Sequence, residues 1–131
     1  MSENATEAAV GGSSMNGSFL RFYVLEKQHI HHLPVWEWLL ERANKMGIRG
    51  GSAFRAIAGF GRHHTMREAH FIELAGMQPI EVEFIVTDKE CEELLDLIRR
   101  EHVRLFYARI PAHFGVINPD AKDPPETLDR Q

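Results

Sequence analysis

The sequence contains a single cysteine, Cys91, so no disulfide bond can form within the chain, and this usage suits a reducing compartment. No apolar run approaches the ~18 residues that a membrane-spanning helix needs. The first residues include Glu3 and Glu7 and lack the basic and apolar regions of a secretory signal. We therefore expect a cytoplasmic protein without direct membrane insertion.

Basic charge is not in excess either. The chain has 15 lysine and arginine residues against 19 aspartate and glutamate residues, a formal net charge of −4. Non-specific binding of nucleic acid requires a basic face that displaces counterions, and no run of lysine or arginine supplies one. We expect no nucleic-acid partner.

The two ends of the chain are poor in residues that could anchor a core. Residues 1–17 contain no aromatic side chain, and residues 115–131 combine three prolines with many charges. We predict a disordered N-terminal tail at 1–17, one folded domain at 18–114 and a flexible C-terminal tail at 115–131. A domain of that length buries enough surface for one hydrophobic core.

The folded region begins with a predicted strand at 18–26, in which Leu20, Phe22 and Val24 recur with a period of two. Pro34 can open a helix at its first position, and Gly47 can end that helix as a left-handed cap. The predicted core stripe of this helix is Trp36, Leu39, Leu40, Ala43 and Met46. On this pattern Trp36 is the core tryptophan and Trp38 is half exposed.

A short strand is predicted next at 53–58, and residues 70–74 are a candidate for a further short strand. A third main strand covers 80–86, and a last strand covers 103–110. One face of the third strand is apolar and consists of Ile80, Val82, Phe84 and Val86.

Thr87 and Glu90 have the spacing of a capping box at the start of a second helix. The predicted core stripe of that helix is Cys91, Leu94, Leu95 and Ile98. Acidic residues lie in its first half and Arg99 and Arg100 near its end, which is the polarity that the helix dipole favours.

The order strand, helix, strand, strand, helix, strand predicts an α+β fold, a ferredoxin-like split βαβ sandwich (βαββαβ). It has an antiparallel sheet with two helices on one face. The other face would carry Arg21, Tyr23, Leu25, Glu81, Glu83 and Ile85. This mixture favours burial against a partner, in which case the charges must pair. The alternative is an ordinary solvated face with a few apolar side chains.

Several segments of the chain resemble a family of small PII-like proteins that is catalogued as a domain of unknown function. The segments are Leu20-Arg21-Phe22-Tyr23, Glu26, Pro34-Val35-Trp36-Glu37, Gly47-Ile48-Arg49-Gly50-Gly51-Ser52, Arg55-Ala56-Ile57-Ala58-Gly59-Phe60-Gly61 and Pro79-Ile80-Glu81-Val82. The resemblance runs from Ser18 to Ile110. Its most specific part is the Arg-x-Ile-x-Gly-Phe-Gly segment.

The resemblance implies a homotrimer that packs the open sheet faces inward, with a flexible loop that reports on a ligand held between subunits. PII-like proteins generally sense small molecules, often nucleotides, and regulate a transporter or an enzyme. Members of this family resemble partners of membrane ion-export systems. The glycine-rich turn with a lysine that holds nucleotide phosphates in true PII proteins has no counterpart between Ile98 and Val103, so ATP binding in their manner is not expected.

The loop that follows the second strand is the main candidate for a ligand site. Paired glycines allow close backbone approach and positive φ, and arginine and histidine donate to anions. The candidate ligand-binding residues are Glu26, Arg55, Gly59, Phe60, Gly61, Arg62, His63 and Arg67. The alternative is a solvated mobile loop with no ligand, and for Glu26 an ion pair with Arg21 or Arg55. Replacing Arg62 and Arg67 together by alanine is predicted to abolish ligand binding and to leave the trimer intact.

Histidine suggests a competing function, a metal-responsive trimer that binds zinc, copper or nickel. The candidate metal ligands are His29, His31, His32, His63, His64 and His70. A His-x-His pair in an extended chain places both rings on one side. No second cysteine completes a four-ligand set, so solvated histidines are the alternative and no metal site is assigned.

Catalysis is not expected. Cys91 lies on the apolar stripe of the second helix, which is typical of a small buried hydrophobic residue rather than a nucleophile. The prediction is therefore a PII-like homotrimer that binds a small anionic metabolite or nucleotide and signals through the loop at 59–78. A scaffold without any small ligand remains a third alternative.

Overall fold

The computed structural model describes residues 14–60, 67–68 and 78–124, with the backbone alone for residues 67–68. The elements in chain order are β1 (Ser14–Leu25), β2 (His29–Ile30), β3 (Leu33–Pro34), α1 (Val35–Lys45), β4 (Gly51–Arg55), β5 (Ala58–Gly59), β6 (Arg67–Glu68), β7 (Pro79–Thr87), α2 (Asp88–Arg100) and β8 (Phe106–Gly115).

Four strands form the main sheet in the order β4-β7-β1-β8, and all neighbouring strands are antiparallel. Helices α1 and α2 connect strands of this sheet and pack with it around one core. This strand order with two helices is the ferredoxin-like arrangement, so the predicted α+β fold class is confirmed.

The core lies between the helices and one face of the sheet because residues of β1 and β7 alternate between its two faces. The pairing of Phe22 with Val82 and of Leu20 with Phe84 aligns the apolar faces of the two strands. The rings of Phe22 and Phe84 meet edge to face at 6.3 Å. The buried hydrophobic residues of the two strands are those that the alternation predicted: Leu20, Phe22, Val24, Ile80, Val82, Phe84 and Val86.

Helix α1 buries the tryptophan that the sequence pattern placed half outside. Trp38 is only 4% exposed, whereas Trp36 is partly buried and packs against the edge of the core. Trp36 lies three residues before Leu39 and seven before Ala43, and Trp38 lies three residues after Val35, so periodicity alone could not choose between the two tryptophans. Val35 is buried at the start of the helix, and the stripe therefore runs through Trp38. The prediction for this pair was wrong.

Helix α1 ends and helix α2 begins where local signals predicted, whereas α1 begins at Val35, so Pro34 is its N-cap and not its first residue as predicted. Gly47 follows α1 with a φ of +83°, the left-handed conformation that glycine adopts at low cost. At the start of α2 the Glu90 amide donates to the Thr87 hydroxyl at 3.2 Å, and the Thr87 amide donates to the Glu90 carboxylate at 2.9 Å. This capping box is confirmed. The predicted stripe of α2 is buried, and Leu97 is buried with it.

Strand boundaries differ from the predicted ones in β1, β4 and β8, and β7 extends the predicted 80–86 by one residue at each end. Strand β4 covers Gly51–Arg55 rather than 53–58, and β8 covers Phe106–Gly115 rather than 103–110. Strand β1 begins at Ser14, which pairs with Gly115, so residues 14–17 and Gly115 lie in strands. Strands β1 and β8 extend past their predicted outer ends because they continue to pair with each other beyond the end of β7. The predicted short strand at 70–74 lies outside the described residues.

The turn after α2 contains His102 in a left-handed backbone conformation, which lowers the stability of the fold. His102 adopts a φ of +56°, in which its amide donates to the Arg99 carbonyl at 3.1 Å. A residue with a Cβ pays about 1 kcal/mol for this conformation, and glycine does not. His102→Gly is expected to raise the free energy of unfolding by about that amount and the melting temperature by about 4–8 °C.

Calorimetric melting at matched protein concentration tests this expectation. His102→Ala is the control, since it removes the imidazole but keeps the Cβ, and it should bring no gain. Equal melting temperatures for the glycine and alanine variants would contradict the conformational explanation.

Candidate ligand-binding and assembly site

The sheet face opposite the helices, called here the open face, is formed by the residues that alternate with the core residues. Cross-strand pairing brings Tyr23 next to Glu81 and Phe106, and Arg21 next to Glu83 and Ala108. The open face comprises Phe19, Arg21 and Tyr23 on β1, Glu81, Glu83 and Ile85 on β7, Ser52 and Phe54 on β4, and Phe106, Ala108 and Ile110 on β8.

Large apolar side chains on the open face are exposed. Phe106 is 74% exposed and Phe54 is 52% exposed, and Tyr23, Ile85 and Ile110 are also classed as exposed. The rings of Tyr23 and Phe106 stack at a tilted angle with centroids 5.5 Å apart. Exposed large apolar side chains that share one face of a sheet favour association with another protein surface.

A group of three charges lies in the middle of the open face. Arg21 Nε lies 3.0 Å from Glu83 Oε2 and 3.6 Å from Glu81 Oε1. The Arg21 guanidinium carbon also lies 5.2 Å from the centre of the Phe19 ring. Hydrogen bonding to the Tyr23 side chain and the charges of the two glutamates raise the pKa of Arg21, although burial opposes them. The pairing of charges expected for this face is present within one chain.

A hollow of about 440 Å³ opens at the end of the open face where β4 begins. Phe19, Ile85 and Phe114 supply its apolar surface, and Arg49 and Glu83 supply its charges. The hollow therefore adds concave surface to the same face that carries the exposed aromatic side chains.

A second group of polar residues lies at the opposite end of the sheet, where the loop to β7 starts and ends. Arg55 donates from Nη2 to Glu26 Oε2 at 2.8 Å and from Nε to Gln78 Oε1 at 3.1 Å. The Glu26 amide also donates to the Gln78 carbonyl at 2.8 Å. We call Glu26, Arg55 and Gln78 the loop-root cluster.

The sheet topology assembles this cluster. Strands β1 and β4 both run antiparallel to β7, so their last residues lie beside the first residues of β7. The Ala56 amide donates to the Pro79 carbonyl at 2.9 Å and fixes the backbone directly after Arg55. Gln78 is only 7% exposed, whereas the side chain of Arg55 is 57% exposed. The guanidinium is thus held on one side and open to solvent on the other, where it can bind an oxyanion.

Of the predicted loop residues, the structure describes Gly59 and Phe60 and the backbone of Arg67. Gly59 pairs with Arg67 in the short β5–β6 ladder, and Phe60 is exposed. Gly59 has no positive φ, and a Cβ there would meet nothing within 4 Å. The expected conformational reason for this glycine is therefore wrong. Other predicted residues lie outside the described ranges: Gly61, Arg62, His63, His64 and His70.

The histidines of the β2–β3 hairpin point to different partners. His29 Nδ1 lies 2.6 Å from the Lys27 carbonyl, and His31 Nε2 lies 2.9 Å from Glu101 Oε1. His31 and His32 both have positive φ, because they form the two-residue turn of the hairpin. The expectation that an extended His-x-His pair places both rings on one side is wrong for this reason. Within residues 14–60 and 78–124 no group of three or more candidate ligands could hold a metal ion.

Cys91 is fully buried, and burial raises the pKa of its thiol, so the thiolate is disfavoured. Nearby, Arg109 donates to Glu92 at 2.6 Å and to the Ser18 hydroxyl at 3.2 Å. The hydrogen bond to Glu92 raises the pKa of Arg109 and ties β8 to α2.

Neither helix in the described part of the chain is long and apolar enough to cross a membrane.

Sequence reasoning missed two of these polar residues, Gln78 and Arg109. Gln78 directly precedes the strand-opening Pro79, a position at which the end of the loop must meet the sheet. Arg109 alternates with the open-face residues of β8 and so faces the helices. Both signals become visible only when the strand register is known.

Comparison with sequence families identifies relatives. The profile of the DUF190 family, which is described as "Uncharacterized ACR", matches residues 17–104. The UPF0166 protein of Aquifex aeolicus (strain VF5) is 32% identical over 83 residues, which cover 63% of this chain and 79% of that protein.

Solved structures show the same fold. CPII from Thiomonas intermedia K12, bound to ADP and bicarbonate, has a TM-score of 0.54 at 22% identity over 79% of this chain and 92% of that chain. Another structure of CPII, a nitrogen regulatory PII-like protein bound to ADP, AMP and bicarbonate, has a TM-score of 0.51 at 19% identity over 79% and 97% of the two chains. The chain therefore belongs to the DUF190 family and has the fold of PII-like proteins.

Proposed function

We propose that the protein is a cytoplasmic PII-like regulator that assembles as a homotrimer through its open face. It binds a small anionic ligand, a nucleotide or metabolite, at the seams between subunits near the loop-root cluster. It controls a partner such as a membrane transport protein through the loop at 59–78. It binds its ligand without catalysing a reaction.

The open face is the observation that carries the proposal. It exposes five large apolar side chains around a self-paired group of charges, and no helix of the described chain covers it. A second and third copy of the same face match this composition, because the apolar area is buried while Arg21 keeps Glu83 beside it. Most soluble oligomers are homo-oligomers with closed point-group symmetry, in which identical subunits bury such surfaces against one another.

The ligand class follows from the loop-root cluster. The Arg55 guanidinium uses Nε and one Nη2 hydrogen within the cluster and keeps further donors toward solvent. Planar donors of this kind suit phosphate and carboxylate groups. The bound ADP, AMP and bicarbonate of CPII are anions of the same kinds, which supports the proposal for this chain.

The position of Arg55 supports the proposed signalling through the loop. It is the last residue of β4, and the chain leaves the sheet directly after it toward the loop. A ligand that binds Arg55 would weaken the hydrogen bonds of this side chain to Glu26 and to Gln78, the residue at which the loop returns to the sheet. Ligand binding would then favour one loop conformation and alter the surface offered to a partner.

Calorimetric titration with ADP, together with native mass determination, tests the proposal. The wild-type protein should be a trimer that binds ADP and returns it chemically unchanged. Arg55→Gln is expected to weaken binding at least about tenfold, because it removes a charged hydrogen-bond donor to the ligand, and to leave the trimer intact.

Arg99→Gln is the matched control, since Arg99 is an equally exposed arginine with an ion pair on the outer surface of α2. It should bind ADP as the wild type does. Equal affinities of all three proteins would refute the role of Arg55, and a monomeric wild type would refute the assembly. A melting-temperature increase with zinc, copper or nickel that is lost on replacing His29, His31 and His32 would instead favour the metal-responsive trimer.

A further inference from the structure

The charges of the open face do not cancel. Each copy contributes one cation, Arg21, and two carboxylates, Glu81 and Glu83. Association through this face therefore encloses one surplus negative charge for every subunit. An enclosed charge without a counter-charge is costly, and a carboxylate removes that cost by taking up a proton.

The geometry indicates which carboxylate is the surplus one. Glu83 lies directly opposite Arg21 in the strand register and approaches its Nε to 3.0 Å. Glu81 lies 3.6 Å from the same atom and has the more exposed side chain, 37% against 21%. Glu81 thus forms the weaker ion pair with the shared guanidinium. Its charge is stabilised more by water, which assembly removes.

Among the residues that the structure describes, the strand neighbours of Glu81 include no cation other than Arg21. On β1 it faces Tyr23 and, diagonally, Arg21, and on β7 its neighbour on the same face is Glu83. From β4 it faces Phe54 and, diagonally, Ser52, neither of which is charged. No helix packs on this face in the described part of the chain. The described open-face residues of identical copies bring only the same groups.

We infer that assembly of the trimer takes up protons at Glu81, so that the subunits associate more tightly as the pH falls. This inference rests on the proposed association through the open face. The sign follows from linkage: because the assembled state binds more protons than the free subunits, lowering the pH favours assembly and raising it favours dissociation. Uptake of one proton by each subunit changes the association constant by about tenfold per subunit for each pH unit.

Arg49 is a cation in the described part of the chain that could alter this balance. It lines the hollow that Glu83 also lines, and it forms no ion pair among the described residues. If Arg49 moved onto Glu83 in the assembly, Arg21 would be left for Glu81 and the charges would balance. Assembly would then be independent of pH.

Sedimentation equilibrium of the full chain from about pH 5.5 to about pH 8.5 tests the inference. The wild-type association constant should rise as the pH falls. Glu81→Gln should associate more tightly than the wild type at the highest pH and show little dependence on pH. Glu93→Gln, the same substitution at an exposed position of α2, should behave like the wild type.

The possible outcomes separate this inference from the proposal beneath it. A wild-type trimer whose affinity does not change with pH overturns proton uptake and leaves the assembly standing. A pH dependence that persists unchanged in Glu81→Gln assigns the proton elsewhere and also overturns the inference. A protein that is monomeric throughout overturns the assembly itself.

Discussion

Arg21→Glu is expected to leave the protein folded but monomeric. The substitution removes the one cation of the open face and adds a third carboxylate beside Glu81 and Glu83. Enclosing carboxylates without a partner costs about 3 kcal/mol for each copy. Over three copies, this cost raises the concentration needed for assembly about a thousandfold.

The fold itself should survive, because the side chain of Arg21 points away from the core while its neighbours Leu20 and Phe22 point into it. Native mass spectrometry at micromolar concentration measures the assembly, and circular dichroism measures the fold. The charge exchange Arg21→Glu with Glu83→Arg keeps opposite charges in register and should restore part of the assembly. If the single Arg21→Glu variant remained trimeric, this result would show that another surface joins the subunits.

Gly17→Ala is expected to destabilise the fold strongly. A Cβ at Gly17 would collide with the Val86 carbonyl oxygen and would lie 2.9 Å from the Thr87 Cα, both of which are backbone atoms. Neither atom can move unless β1 separates from β7, where Gly17 pairs with Thr87. We expect a loss of about 3 kcal/mol in the free energy of unfolding, with a melting temperature lower by roughly 10–20 °C.

Gly50→Ala is the matched control for this substitution. A Cβ at Gly50 meets nothing within 4 Å and the residue has no positive φ, so its replacement should be neutral or slightly stabilising. Urea denaturation of both variants at equal concentration measures the difference. Equal stabilities would contradict the close approach of β1 and β7 at Gly17.

The loop-root cluster illustrates a candidate site that the sequence could identify only in part. Glu26 and Arg55 stand out because they belong to the segments that resemble a PII-like family. Their 2.8 Å ion pair and the contribution of Gln78 depend on three strand ends meeting at one edge. Those ends are far apart along the chain, so no local pattern contains their pairing.

The sequence by itself determined what depends on neighbouring residues. The alternation in β1 and β7 set the buried face, the Thr87–Glu90 spacing set the start of α2, and Gly47 set the end of α1. Periodicity and capping act within a few residues, so they can be read from the chain directly. The order of the strands and helices that these signals define was sufficient to predict the ferredoxin-like fold.

Only the tertiary structure decided the features that join distant segments. It placed Trp38 rather than Trp36 in the core, extended β1 to Ser14 by pairing it with β8, and set Arg21 opposite Glu83. Each of these depends on how an element is rotated or in which register two strands pair. Register is settled by the packing of the whole sheet and its helices, because many local patterns fit equally well until the elements meet.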